Sequence, residues 1–253
     1  ERSLANSLVE AARADYARAD MVAARAKLRR SLEIEDSLLG RNLWWQLSAN
    51  PLYWWKRIDP VYAVAFSPKG DRVVAAGRDK AAYSFHVHNP KSTKLDVALG
   101  TILNVSYAPS GNMLAMGTYG GLVVLHDLRS GEQTHLKGHE GPVWDVAFGK
   151  KGEVVASAGR DQTIRLWRVK DGELITKLEG HKAQITNVDF SAKGDLLLSS
   201  GWDQTARIWD WARGKELKVL RGHRELLLDA RFSPDSTLIA TAGGRQIHFW
   251  GWP

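Results

Sequence analysis

The sequence predicts an all-β repeat fold of about five four-stranded units preceded by an α-helical segment, and three observations carry that reading. Short β-prone runs are punctuated by Gly, Pro, Asn and Asp every eight to twelve residues from about residue 60 onward. Aromatic residues and their following turns return at a nearly constant interval over the same region. The opening stretch, by contrast, is rich in Ala, Leu and Arg, has no Pro, and repeats its apolar residues at helical spacing.

The helical part comes first. Leu4, Leu8, Ala11, Ala12, Ala19, Val22, Ala23 and Ala26 fall on a helical period and predict a continuous helix. Asp36-Ser37 followed by Gly40 interrupts it. Leu43, Trp44 and Leu47 then form a short second stripe ending before Asn50-Pro51, where the residue ahead of proline resists the α region. Residues 1–49 are therefore expected to be a helical segment or linker, and residues 50–253 the β domain.

Val61 to Phe66, Val73 to Ala76, Val143 to Phe148, Ile164 to Trp167 and Leu196 to Ser199 read as strands. Phe66, Tyr107, Phe148, Phe190 and Phe232 stand 41, 41, 42 and 42 residues apart. Each leads into a turn: SPKG from Ser67, APSG from Ala108, GKKG from Gly149, SAKG from Ser191 and SPDS from Ser233. The pairs Gly138-His139, Gly180-His181 and Gly222-His223 repeat at 42, and GRDQTIRLW from Gly159 returns as GWDQTARIW from Gly201.

A period of this length, with Gly-His pairs and a Trp209-Asp210 dipeptide, resembles the WD40 β-propeller family over about four fifths of the chain. The resemblance implies that the turn Asp, the His, a Ser or Thr and the Trp of each blade form a buried hydrogen-bonded tetrad. Carried over, these are His139, Ser157, Asp161 and Trp167 in the third blade, and His181, Ser199, Asp203 and Trp209 in the fourth. The fifth keeps His223, Thr241 and Trp250 without the Asp. The second has Gly120 and His126 at the Asp and Trp positions, and the first keeps Asp79 with Phe85 in place of Trp. Because the same residue types return in several blades, they are read as structural and not catalytic.

The stretch PLYWW, Pro51 to Trp55, aligns with the outermost strand of later repeats and is expected to complete the fifth blade. Five blades then close on paper as a monomeric ring. A larger ring with blades outside this stretch, or edges shared between two molecules, stays open, as does the oligomeric state.

By the same resemblance, a rim of partner-contacting residues falls at fixed positions of each repeat. These are Pro60, Tyr62 and Arg78; Thr101, Leu103 and Tyr119; Pro142, Trp144 and Arg160; Gln184, Thr186 and Trp202; and Leu226, Leu228 and Gly244. The set is rich in Trp, Tyr and Arg, which combine large apolar area with directional donors.

Composition narrows the function classes. The 253 residues carry a formal net charge of +7, but basic and acidic residues are interspersed, which argues little for nucleic acid. With no Cys there are no disulfides or thiolate metal sites, and no redox compartment is favoured. No apolar run approaches membrane-spanning length, so no membrane insertion by this segment is expected. His86 and His88 lack a third ligand, and no phosphate loop or nucleophile elbow is found, so neither metal nor cofactor is expected. The expected function is a non-enzymatic scaffold or sensor module for a protein or peptide partner. A nucleic-acid or nucleotide-binding propeller is the alternative. Glu1, the Arg- and Ala-rich opening and the LWWQL-to-NPL join look similar to the propeller ends of multidomain bacterial signalling proteins, serine/threonine kinases among them, in which the propeller would regulate an effector elsewhere. A cytoplasmic location is the default expectation, the exterior domain of a membrane-anchored parent the alternative.

Overall fold

The computed structural model describes residues 2–17, 21–34, 60–87, 89–95, 97 and 100–252. They divide into two compact units, residues 1–58 with 88–90 and residues 59–87 with 91–253.

In the first unit, α1 (Arg2–Ala17) and α2 (Met21–Ile34) pack together through Val9, Ala12, Ala24 and Leu28. Alanines at the contact let the two backbones approach closely, and Lys27 donates to the buried carboxylate of Asp15. The single helix expected through Ala26 is thus two helices. The packed stripe is Ala5, Val9 and Ala12, one step from the Leu4 and Leu8 stripe, and Leu4 lies exposed. Both stripes share the helical period; only the partner helix chooses between them. Leu43, Trp44 and Leu47 lie outside the described residues. No helix among the described residues is long and apolar enough to cross a membrane.

The second unit is built from antiparallel sheets. Blade one is β1 (Val61–Phe66), β2 (Arg72–Gly77), β3 (Ala82–His86) and β4 (Asn89–Leu95). Blade two is β5 (Ile102–Tyr107), β6 (Met113–Thr118), β7 (Val123–Asp127) and β8 (Gln133–Leu136); blade three is β9 (Val143–Phe148), β10 (Val154–Gly159), β11 (Thr163–Arg168) and β12 (Leu174–Glu179). Blade four is β13 (Ile185–Phe190), β14 (Leu196–Gly201), β15 (Thr205–Asp210) and β16 (Lys215–Arg221). Blade five has three strands among the described residues, β17 (Leu227–Phe232), β18 (Leu238–Gly243) and β19 (Gln246–Gly251). The turn after each first strand needs one left-handed residue. It is Gly70, Gly111, Gly152 and Gly194 at φ between 71 and 80°, and Ser236 at φ 60° in the turn that lacks glycine.

The first strands β1, β5, β9, β13 and β17 pack in succession, and each blade buries one face against the next. Val74, Ala76 and Ala82 of blade one meet Ile102, Val105 and Tyr107 of blade two. Leu198, Ala206 and Ile208 of blade four meet Leu227, Ala230 and Ile239 of blade five. Side chains on the first strands also reach across to the next backbone. Asp145 accepts from Val188 N at 2.8 Å and from Asn187 Nδ2 at 2.9 Å, Asn187 accepts from Ala230 N at 3.3 Å, and Asp189 accepts from Phe232 N at 2.8 Å. Burial pushes the Asp145 carboxyl up to about 7 against the pull of Val188 N, the Arg231 charge and Val146 N.

Among the described residues the two ends do not meet as the expected five-blade ring would have them. Val64 is 65% exposed and Phe66 66%, whereas Val105, Val146 and Val188, equivalent to Val64, and Tyr107, equivalent to Phe66, are buried. At the other end Ile247 is 65% and Phe249 74% exposed, whereas Ile164 and Leu166, and Ala206 and Ile208, are wholly buried at the same places. Among the described residues, β17 does not pack on β1 as successive first strands pack on each other. The strand expected at Pro51 to Trp55 lies outside the described residues, as does His88, while His86 ends β3.

Positions equivalent by repeat but unequal in burial give a direct check. Ile208→Ala is expected to cost about 2–5 kcal/mol in urea unfolding. Phe249→Ala should stay within about 0.5 kcal/mol of the parent. Equal losses at the two sites would contradict the open end face.

Candidate partner-binding rim and its supporting network

Blades three and four carry the same polar chain. His139 Nδ1 lies 3.0 Å from both oxygens of Asp161, its Nε2 lies 2.8 Å from Ser157 Oγ, and Trp167 Nε1 donates to that hydroxyl at 2.8 Å. In blade four the corresponding distances are 3.0 Å for His181 to Asp203, 2.8 Å for His181 to Ser199 and 2.9 Å for Trp209 to Ser199. The partners fix the tautomer. The carboxylate needs the imidazole Nδ1–H, and the serine, already accepting from indole, gives its own proton to Nε2.

Burial would raise the Asp161 carboxyl, but the bond and charge of His139 and the donors from Glu140 and Thr163 outweigh it and hold the group at about 2. Asp203 is held low in the same way against burial, by His181, Lys182 N and Thr205. Burial lowers His181, with Asp203 opposing, so the neutral ring is favoured. Arg165 lies 3.9 Å from Asp161 and the buried Arg207 3.5 Å from Asp203, which gives the arginine shared by the two nonapeptides a place beside the carboxylate.

The remaining blades depart where the sequence departs. His223 and Trp250 both bond Thr241, at 2.8 and 2.9 Å, but His223 Nδ1 is buried without a partner and its ring stacks on His248. In blade two His126 is buried with Nδ1 unpaired, and burial lowers its pKa. In blade one Asp79 accepts from Tyr83 Oη at 2.7 Å, and Phe85 fills the Trp position.

These turns present the rim. Backbone bonds tie its two loops together in four blades: Arg78 N to Pro60 O, Tyr119 N to Thr101 O, Arg160 N to Pro142 O and Trp202 N to Gln184 O, at 2.8–3.0 Å. The strand must pass very close to that carbonyl. A Cβ on Gly201 would lie 2.8 Å from Gln184 O, and one on Gly159 would lie 2.8 Å from His139 Nδ1, so only glycine fits.

Six rim residues chosen by repeat position come together around one cavity of about 500 Å³: Tyr62, Arg78, Thr101, Leu103, Tyr119 and Trp144. Tyr62, Arg78 and Tyr119 are exposed. Trp144 donates its indole N–H to Gln184 Oε1 at 3.1 Å, which leaves its apolar surface to the cavity. Thr186 is spent internally, donating to Leu227 O at 2.9 Å and Ser200 O at 3.1 Å. Arg160, Trp202, Leu226 and Leu228 stand exposed outside this cavity. Among the described residues no three metal-ligating side chains cluster.

The family model for the nucleolar protein 10-like N-terminal domain matches residues 72–206, more than half the chain. The chain is a β-propeller of that family. The model for the WD domain, G-beta repeat, matches residues 57–85 and 214–251, so the propeller is built from WD repeats at both ends. It is 31% identical over 148 residues to WD repeat-containing protein SL1-17 of Schistosoma mansoni, covering 57% of this chain and 49% of that one. Similarity to the human serine-threonine kinase receptor-associated protein is 33% over 115 residues, 45% of this chain and 32% of the relative. Protein groucho of Drosophila melanogaster is 29% identical over 119 residues, 46% of this propeller and 16% of groucho. The matched stretches thus span half or less of each of these relatives, all of them eukaryotic.

Sequence reasoning missed the interblade acceptors Asp145, Asn187 and Asp189 and the tetrad arginines. Their signal was present: Asn104, Asp145, Asn187 and Asp229 recur at 41, 42 and 42, and Arg165 and Arg207 at 42.

The depressed carboxylate sets a pH test. Asp161 is held below its unfolded value, so its contribution is complete above about pH 4 and is lost as pH falls toward 2. Asp161→Ala should lower unfolding free energy by roughly 1–3 kcal/mol at pH 7. The gap to the parent should narrow steadily below pH 4 in urea titrations; a gap unchanged at pH 2.5 would refute the coupling.

Proposed function

We propose that this propeller is a non-enzymatic protein-interaction module that binds a protein or peptide partner on its rim. One observation carries the reading: residues from three blades, each taken from the rim position of its repeat, converge on a cavity with exposed aromatic walls. Tryptophan, tyrosine and arginine are the side chains that dominate interface energetics. Large exposed apolar side chains such as Trp202 and Leu228 at the same end extend the surface. The relatives support the class, since one is named as associated with a serine-threonine kinase receptor.

The proposal extends to a longer parent. Partner binding would regulate an effector domain elsewhere in that chain, as in the multidomain bacterial signalling proteins the opening segment resembles. The tetrads are assigned a structural role under this reading: they hold the turns from which the rim projects. A nucleic acid or nucleotide on the same end is the second reading, and it requires binding that weakens steeply with salt.

Affinity capture with the parent chain, the Tyr119→Ala/Trp144→Ala pair and a Trp202→Ala variant tests the rim. Recovery of specific partners should fall about tenfold or more with the pair. It should be unchanged with Lys151→Ala at the opposite end. Full recovery by folded rim variants, checked by circular dichroism, would reject the assignment.

A further inference from the structure

We propose that the two exposed end faces are the two halves of one joint, and that blade five of one molecule packs on blade one of a second copy of this chain. Joints of the same kind already connect the blades within the molecule.

Every internal joint has two unlike sides. One side is a first strand, which presents Val188 in blade four and Ala230 in blade five. The other is made by the second and third strands of the preceding blade. Ala156 and Leu166 meet Val188, and Leu198 and Ile208 meet Ala230; the joints around Val105 and Val146 are built alike.

Strand register extends both sides to the ends. Val64 pairs with Ala75 as Val188 pairs with Ser199, so Val64 is the first-strand residue of this series in blade one. Ala242 pairs with Ile247 and Ala240 with Phe249, as Ser200 pairs with Ala206 and Leu198 with Ile208. Ile247 and Phe249 therefore hold the places of two residues that blade five itself covers. One end of the stack is a first-strand side and the other a second-and-third-strand side, so the ends complement each other. Stacked repeats stop growing when their outermost faces are polar. Here both outermost faces keep Val, Ile and Phe exposed.

A polar contact observed twice sets the register of the new joint. Asp145 accepts from Val188 N of the next blade at 2.8 Å, and Asn187 accepts from Ala230 N of the next at 3.3 Å. Asp229 is the following member of this series, paired with Ala242 as Asn187 is with Ser200. It lies 3.1 Å from Arg231 Nε, and among the described residues its carboxylate accepts no hydrogen bond from another blade. The amide at the place of Val188 N and Ala230 N in blade one is Val64 N. A second copy docked by its blade one brings that amide to Asp229 and Val64 to Phe249. Because the two sides differ, the contact is head-to-tail.

Sedimentation velocity of this chain from about 1 to about 100 μM tests the joint. The sedimentation coefficient of the parent should rise with concentration. Val64→Glu and Phe249→Glu place a charge at exposed positions and should leave the fold unchanged by circular dichroism. Each variant alone should stay monomeric, since one half of the joint is spoiled in every copy. Mixed in equal amounts, they should form a dimer and nothing larger, because the first keeps its blade-five face and the second its blade-one face. Asp229→Ala in the Val64→Glu chain should weaken that dimer about fivefold or more. Asp229→Asn, which keeps an acceptor oxygen as Asn187 does, should leave it within about twofold. The Tyr119→Ala/Trp144→Ala pair should assemble as the parent does, which separates this joint from the rim. A parent that stays monomeric at about 100 μM, assembly that survives either single Glu variant, or a mixture that remains monomeric would overturn the proposal. A mixed dimer indifferent to Asp229→Ala would overturn the register.

Discussion

Every blade must have its apolar face covered by the next one. A twisted sheet of four short strands has two faces, and in this chain both carry aliphatic side chains. Stacking around an axis hides them four times over, with Val105, Val146 and Val188 sealed at equivalent places. At roughly 25 cal/mol per Å² of apolar area, this repeated burial outweighs the individual polar contacts as a source of stability. It also explains why the end faces stand out: Val64, Phe66, Ile247 and Phe249 have the same chemistry as their buried counterparts and nothing among the described residues to meet it.

Polar networks then differentiate blades that packing alone would leave alike. Blades three and four have complete chains from indole to carboxylate, each donor matched to an acceptor. Blade five loses the carboxylate and leaves an imidazole nitrogen buried and unpaired, and blade two does the same at His126. Buried polar groups without partners cost stability, so turns in these blades are less firmly held than those beside Asp161 and Asp203. Two walls of the rim cavity, Arg78 and Tyr119, come from turns without a histidine–aspartate bond, while Trp144 is braced across blades by Gln184. The surface thus combines a side held by histidine–aspartate bonds with one whose turns rest on backbone bonds and on the local side-chain bonds of Asp79 and Thr118.

The rim depends on both levels. Gly77, Gly159 and Gly201 at the ends of second strands let the two loops of blades one, three and four bond through their backbones, and blade stacking brings loops from three blades to one cavity. Neither suffices alone. A blade by itself presents at most three of the six cavity residues, while a stack without the close loop contact would splay them.

Much of this was legible in the residues. The interval of 41 to 42 gave the repeat because each turn and buried aromatic serves the same local geometry in each blade, and GRDQTIRLW with GWDQTARIW specified a turn whose Asp, Thr and Trp have fixed local partners. Missing network members were readable for the same reason, as at Gly120 and in the shortened turn after Thr241. The helical stripe was not, since Leu4 and Ala5 lie on equally periodic faces and only the packing of α2 on α1 decides which is buried. Closure was not legible either. Sequence repeats state what each sheet is, but the angle between successive sheets arises from how whole faces pack, and that angle decides whether five blades meet. The carboxyl of Asp145, raised by burial between two first strands, belongs to the same class: its environment is made by a neighbour 42 residues away and exists only once the chain has folded.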